Sequence, residues 1–222
     1  MPLLAIATDY DGTLATNGHA DETALAALLR ARAAGRKLIM ITGREQDSLR
    51  HVFPAFTMFQ VVVLENGALL YFPATAEERL LCEPAPQALA TRLRQAGVEP
   101  LSVGRCIIAT VIQHEQKLRE AISELRLDLQ VIRNRDSLMA LPRGVDKGSG
   151  LAAAVRELGL ELENVMGVGD AENDHAFLDL CGCAVAVGNA LPALKADADL
   201  VTRGNEGAGV VEAVHRLLSG SG

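Results

Sequence analysis

Short apolar runs alternate along this chain with longer stretches in which apolar residues recur at helical spacing, the pattern of parallel strands joined by crossover helices. Residues 3–8 read as a first buried strand. Asp21 can cap a helix that carries Leu25, Leu28 and Leu29 on one face and ends at Gly35. Residues 37–41 form the next expected strand, and a helix over 45–53 should stop at Pro54. The β-branched run 61–63 predicts a third strand, and Asn66-Gly67, which readily takes positive φ, predicts a hairpin after it.

Beyond Phe72 the alternation loosens and prolines 73, 84, 86 and 100 cluster. The pattern there predicts helix 86–96, strand 102–112, helix 115–125 and strands 128–133 and 137–141. From Val145 the first rhythm returns, with helix 147–158, strand 165–168, helix 173–180, strand 184–187, a short helix 191–195, a last helix 207–218 and a frayed tail from Ser219. The expected fold is therefore α/β, a Rossmann-like doubly wound parallel sheet built from residues 1–72 and 143–222 and interrupted by a small α+β insert at 73–142.

With 222 residues, 49% hydrophobic and 22% charged, the chain can bury a core and lacks the composition of a disordered one. Its net charge of −7, without a lysine or arginine block, argues against a polynucleotide partner, and two tyrosines without tryptophan leave few stacking platforms. Cys82, Cys106, Cys181 and Cys183 lack the spacing of a zinc site or disulfide framework and are expected to be buried free thiols. Residues 1–7 are too short for a secretory apolar region, and no apolar run reaches the ~18 residues of a membrane span. A cytoplasmic protein is expected, a monomer or homodimer with no membrane partner.

The candidate chemistry sits at strand ends. Strand 3–8 runs into Asp9-Tyr10-Asp11-Gly12-Thr13, two carboxylates two residues apart, at the edge where open parallel sheets bind ligands. Strand 37–41 runs into Thr42-Gly43-Arg44, a hydroxyl and a glycine N–H at a helix start, which favours anions. Strand 165–168 runs into Gly169-Asp170-Ala171-Glu172-Asn173-Asp174, again acidic. Asp9, Asp11, Asp170 and Asp174 gathered at one edge would repel one another unless a cation balanced them, and carboxylates, a carbonyl and water suit Mg²⁺ better than zinc. Lys147, at the start of a helix, can add a second positive charge.

These four segments, in this order, resemble those of the haloacid dehalogenase superfamily of phosphohydrolases. The insert, placed between the second and third of them, looks like that family's C2-type cap, and Glu65-Asn66-Gly67-Ala68 resembles the Cof-like and phosphoglycolate phosphatase-like subgroup. The resemblance implies a phosphatase acting on a small phosphorylated metabolite. It assigns Asp9 as nucleophile and Asp11 as general acid and base. It gives Mg²⁺ to Asp9, the Asp11 carbonyl and Asp170, with Asp174 beside it as a further ligand or brace. Thr42, the Gly43 N–H and Lys147 would hold phosphoryl oxygens, Arg44 would join the substrate site, and Asn173 would orient Lys147 or a phosphate oxygen.

Tyr10 should point away from the two aspartates and pack. Arg105, Arg133 and Arg135 in the insert can face an anionic substrate, although solvated strand faces are the default for them. His19 lies near the first motif and should be solvated. Phosphoryl transfer within a sugar phosphate, or a module that binds without reacting, remain open alternatives at this stage. A P-loop is absent, and Gly167-x-Gly169 lacks the third glycine of a dinucleotide fingerprint.

Overall fold

In the computed structural model, which describes residues 2–220, β1 (Ala5–Asp9) is wholly buried and leads into a small hairpin, β2 (Ala15–Thr16) and β3 (His19–Ala20). Asn17 and Gly18, both at positive φ, turn that hairpin, which the hydrophobic pattern does not reveal. In α1 (Glu22–Ala33) Asp21 caps as expected, accepting from the N–H groups of Thr23 and Ala24. The buried face is Ala24, Ala27, Leu28 and Ala31, while Leu29, expected on it, is exposed. Small residues are needed there because this helix lies close against the last one, where a Cβ on Gly207 would come within 2.6 Å of Asp21.

The chain continues through β4 (Lys37–Ile41), α2 (Gln46–Val52), β5 (Val61–Leu64) and β6 (Leu69–Phe72). The expected hairpin forms between β5 and β6, with Asn66 and Gly67 at positive φ. Next comes β7 (Glu77–Leu80), an exposed, mostly charged edge strand that pairs with β6. It falls inside the range 73–142 expected for the insert yet extends the large sheet. Charges at an edge hinder pairing with another chain but carry no apolar alternation to read.

The insert then builds α3 (Gln87–Gln95), β8 (Ser102–Val103), β9 (Ile108–Val111), α4 (Glu115–Glu124), β10 (Leu129–Asn134) and β11 (Ser137–Pro142), with an antiparallel sheet in the order β10-β11-β9-β8. Strand β11 serves two cores by alternation. Leu138 and Ala140 face the helices with Leu89, Leu93 and Leu118, while Met139 and Leu141 join Ala68, Cys106 and Ile107 on the other side.

The returning chain forms α5 (Lys147–Glu157), β12 (Val165–Gly169), α6 (His175–Leu178), β13 (Cys183–Ala186), α7 (Pro192–Asp197), β14 (Leu200–Val201) and α8 (Glu206–Ser219). The large sheet has the order β14-β13-β12-β1-β4-β5-β6-β7, parallel from β14 to β5. Helix α1 packs on α8 and α5 on α6, and each pair sends one helix to β4 and one to β12, covering both faces. Ser219 belongs to α8, Gly220 closes it in a left-handed turn, and the last residues of the expected frayed tail lie outside the described residues. Among the described residues no helix is long and apolar enough to cross a membrane. The cysteines are free thiols, of which only Cys106 is buried.

The expected strand 102–112 is broken into β8 and β9, and the cause is a buried carboxylate. Glu65 Oε1 accepts from Arg105 N at 2.9 Å, and its Oε2 accepts from Cys106 N and Ile107 N at 2.8 and 3.0 Å. Those amides leave the strand ladder to satisfy it. Gly104 permits the approach, since a Cβ there would sit 2.6 Å from the same carboxylate. Glu65 thus clasps the insert to the hairpin of the large sheet. A Glu65→Gln substitution turns an amide group toward those donors and should lower stability by about 2–4 kcal/mol, measured by urea unfolding; an unchanged midpoint and slope would refute the clasp.

Candidate active site

Because β1 lies between β12 and β4, the loops that leave these three strands share one edge, at the point where the strand order reverses. Asp9 is the last residue of β1, Thr42-Gly43-Arg44 follows β4, and Asp170 follows β12. Lys147 is the first residue of α5, set there by a capping box in which Asp146 accepts from Ser149 N and the Ser149 hydroxyl accepts from Asp146 N.

Lys147 is 1% exposed, and its Nζ donates to Asp9 Oδ1 at 2.6 Å and to Asp174 Oδ1 at 2.5 Å. The other Asp174 oxygen accepts from the N–H groups of Asp170 and Ala171, so this side chain also braces the loop. Asp170 accepts from the Thr13 hydroxyl at 2.8 Å on one oxygen and from the Arg135 guanidinium on the other. Gly12, at φ 82°, has to be glycine twice over, since a Cβ would also lie 2.6 Å from Asp170.

Burial pushes the Asp9 carboxyl well above its ordinary pKa, and although Lys147 opposes the rise, Asp174 and Asp170 add to it. Burial and then Asp174 raise Asp170 as well. For Lys147 burial works against the ammonium, yet Asp174 and Asp9 outweigh it and hold its pKa above the ordinary lysine value. One fixed ammonium therefore serves two of three buried carboxylates that repel one another, Asp9 and Asp174.

Asp11 lies outside that group and is partly exposed. Arg44 grips it with both arms of its fork, Nε to Oδ2 at 2.7 Å and Nη2 to Oδ1 at 2.8 Å. The guanidinium also lies over the ring of Tyr10, which is buried as expected, stacks on Phe53 and donates its hydroxyl to Gly18 O. Burial, with Asp11 adding to it, pushes the Tyr10 pKa up to about 12. Arg44, expected at the substrate, lines the cavity over Asp9 and Asp11, and its guanidinium is engaged by Asp11.

The remaining expectations divide. Thr42 is buried beside Asp9's strand, and its hydroxyl accepts from Arg44 N at 3.1 Å. Gly43 faces the insert, where a Cβ would lie 3.2 Å from Met139 Sδ. Asn173, expected to orient Lys147 or a phosphate oxygen, donates to Asn66 Oδ1 at 2.9 Å, because the left-handed backbone of Asn66 carries that side chain down from the β5–β6 hairpin. His19 is exposed on β3. Arg105 and Arg133 pair on the surface with Glu78 and Glu115, as solvated strand faces would. Arg135 does not; from the β10–β11 tip it reaches Asp170. Thr13, Asn66 and Arg135 carry no periodic signal in the sequence that would place them here.

A cavity of about 560 Å³ opens over Asp9 and Asp11, floored by Gly43 and Arg44 and roofed by Arg135 and Met139 from the insert. The haloacid dehalogenase-like hydrolase family matches residues 6–99 and 98–214. The chain belongs to that family. Phosphoglycolate phosphatase 2 of Saccharolobus solfataricus is 33% identical over 227 residues, covering 98% of this chain and 94% of its own length. A phosphoglycolate phosphatase of Methanothermobacter thermautotrophicus is 32% identical over 222 residues, covering 96% of this chain and 98% of its own. A solved haloacid dehalogenase-like hydrolase from Bacteroides thetaiotaomicron superposes with a TM-score of 0.79 at 21% identity, covering 96% and 98% of the two chains, a likeness of fold.

Haloacid dehalogenase-like hydrolases generally use a metal ion, and the donors of this one fit it. Asp9, Asp170 and Asp174 each offer a carboxylate oxygen, all within 4.8 Å of one another, and such hard oxygen donors with excess negative charge suit a hard divalent cation. Replacing Lys147 with methionine leaves these carboxylates without their fixed counter-charge. Without metal the variant should be less stable by about 3–5 kcal/mol, and added divalent cation should restore part of the loss. Melting curves with chelator and with cation check this, and a variant as stable as the parent in chelator would contradict it.

Proposed function

We propose that this chain is a cytoplasmic, Mg²⁺-dependent phosphatase of a small phosphorylated metabolite, with phosphoglycolate the first substrate to test. It is a hydrolase of phosphate monoesters. The observation that carries the reading is the pairing at one cavity of a buried carboxylate held by an ammonium, Asp9 with Lys147, and a partly exposed carboxylate aimed by a fork, Asp11 with Arg44. The two curated relatives named above support phosphoglycolate. The insert after β7, roughly 83–142, serves as the cap, since it supplies the cavity's roof.

In this reading an Asp9 oxygen attacks phosphorus, the bond from phosphorus to the ester oxygen breaks, and Asp11 gives its proton to the departing alkoxide. Water then attacks phosphorus, Asp11 takes its proton, and the bond from phosphorus to Asp9 breaks, releasing phosphate. Lys147 favours the ionised form of Asp9 and, with the Thr42 hydroxyl and the Gly43 N–H, holds phosphoryl oxygens. Asp9, the Asp11 carbonyl and Asp170 would hold Mg²⁺, with Asp174 as a further ligand or beside them, and the ion when bound would supply charge neutralisation at those oxygens. Arg44 is a positioning residue, because it fixes the rotamer of Asp11. Asn173, joined to Asn66, steadies the loop that carries Asp170 and Asp174.

Asp9→Asn should cut the release of free phosphate from phosphoglycolate by about 1,000-fold or more, while the melting temperature stays within a few degrees of the parent. Retained turnover would remove Asp9 as nucleophile. Arg44→Lys keeps the charge but loses the fork, so kcat should fall by about 10- to 100-fold with little change in KM. A change confined to KM would instead place Arg44 on the substrate. In both assays, a phosphoryl group that moves to another position of the substrate without release would point to a mutase.

A further inference from the structure

The three clustered carboxylates are neutralised in two different ways. Asp9 and Asp174 share Lys147, an ammonium that is 1% exposed and fixed by the capping box at the start of α5. Asp170, itself fully buried, receives no part of that ammonium. Among the described residues its one ion-pair partner is Arg135, which comes from the insert on a long arm and keeps 47% of its side chain exposed. Arg135 occupies the two-residue loop between β10 and β11, at φ 49°, a left-handed backbone conformation unusual for a non-glycine residue. Its N–H donates to Glu172 Oε2 at 3.1 Å, so the whole tip is pinned to the loop after β12 by two acidic residues.

A divalent cation on Asp170 changes this balance. The Thr13 hydroxyl occupies one oxygen of Asp170 and Arg135 the other. Two positive charges within a few ångströms of each other at one carboxylate repel by several kcal/mol at the effective dielectric near a protein surface. Lys147 cannot yield, because withdrawing it would strand a buried charge. Arg135 can, because its head already borders solvent and the cavity.

From the half-exposed guanidinium on buried Asp170 we infer that Arg135 is a positioning residue that stands in for the cation: it neutralises Asp170 in the metal-free enzyme, and the cation displaces it. Cation loading and docking of the insert's tip on Asp170 then oppose each other by the same factor. The inference rests on the proposed placement of the cation at Asp170.

Mg²⁺ affinity of the full chain is measured by titration calorimetry and thermal shift, without substrate, for the parent, Arg135→Ala and Arg135→Lys. Arg135→Ala should melt lower than the parent in chelator and bind Mg²⁺ about tenfold more tightly, with Arg135→Lys between the two. In the parent, amide hydrogen exchange over residues 133–137 should quicken several-fold when Mg²⁺ is added, a readout that does not depend on any variant folding. Equal or weaker Mg²⁺ binding by Arg135→Ala, or exchange at the tip that is unchanged or slowed by Mg²⁺, overturns the displacement while leaving the proposed metal site intact. Absence of Mg²⁺ binding in parent and variant alike overturns both.

Discussion

A lysine ammonium buried among carboxylates is the interaction on which the rest of this site depends. Lys147 can lie 1% exposed because Asp9 and Asp174 both accept from it, and those carboxylates can be buried because the ammonium is there. Neither half is tolerable alone. The partners come from β1, the start of α5 and the turn after β12, so the charge cluster also fixes how the returning chain docks on the outgoing one. Two glycines allow that docking: a Cβ on Gly67 would lie 1.8 Å from Asp146 O, and one on Gly150 would lie 2.6 Å from Gly67 Cα.

The acidic residues at the β1 and β12 ends divide the work according to surroundings. Asp9 is desolvated, which raises its pKa, and paired with Lys147, which opposes that rise and fixes the carboxylate in position for the proposed attack. Asp11, two residues on, is partly exposed and gripped by Arg44, so its position is set while water can reach it. Two carboxylates of the same type thus acquire different chemistry from burial and partners. Above them the cavity is closed by residues that the insert supplies, and the insert is anchored twice, by Glu65 at its β8–β9 turn and by Arg135 at the site itself.

Many of the strands and helices could be read from the chain because burial imposes period: β1, β4 and β5 are short apolar runs, and α3 and α4 are amphipathic. What escaped had no such imprint. Strand β7 is charged and exposed, β14 and the β2–β3 hairpin have two-residue strands, and the break between β8 and β9 is caused by a carboxylate some forty residues away. Leu29 was misplaced because α1 buries alanines for close helix contact rather than its largest apolar residues.

By itself, then, the sequence determined the alternation of strands and helices, the presence of an insertion though not where it starts, and the acidic and basic residues that end three strands, since these follow from local pattern and residue chemistry. Which of those residues touch was decided only in the folded chain. That Lys147 would meet Asp9 and Asp174, that Arg44 would grip Asp11, that Asn173 would turn to Asn66 and that Arg135 would reach Asp170 all depend on distances across strands and between sheet and insert. No local pattern encodes those distances, because each is the sum of backbone paths that packing alone brings together.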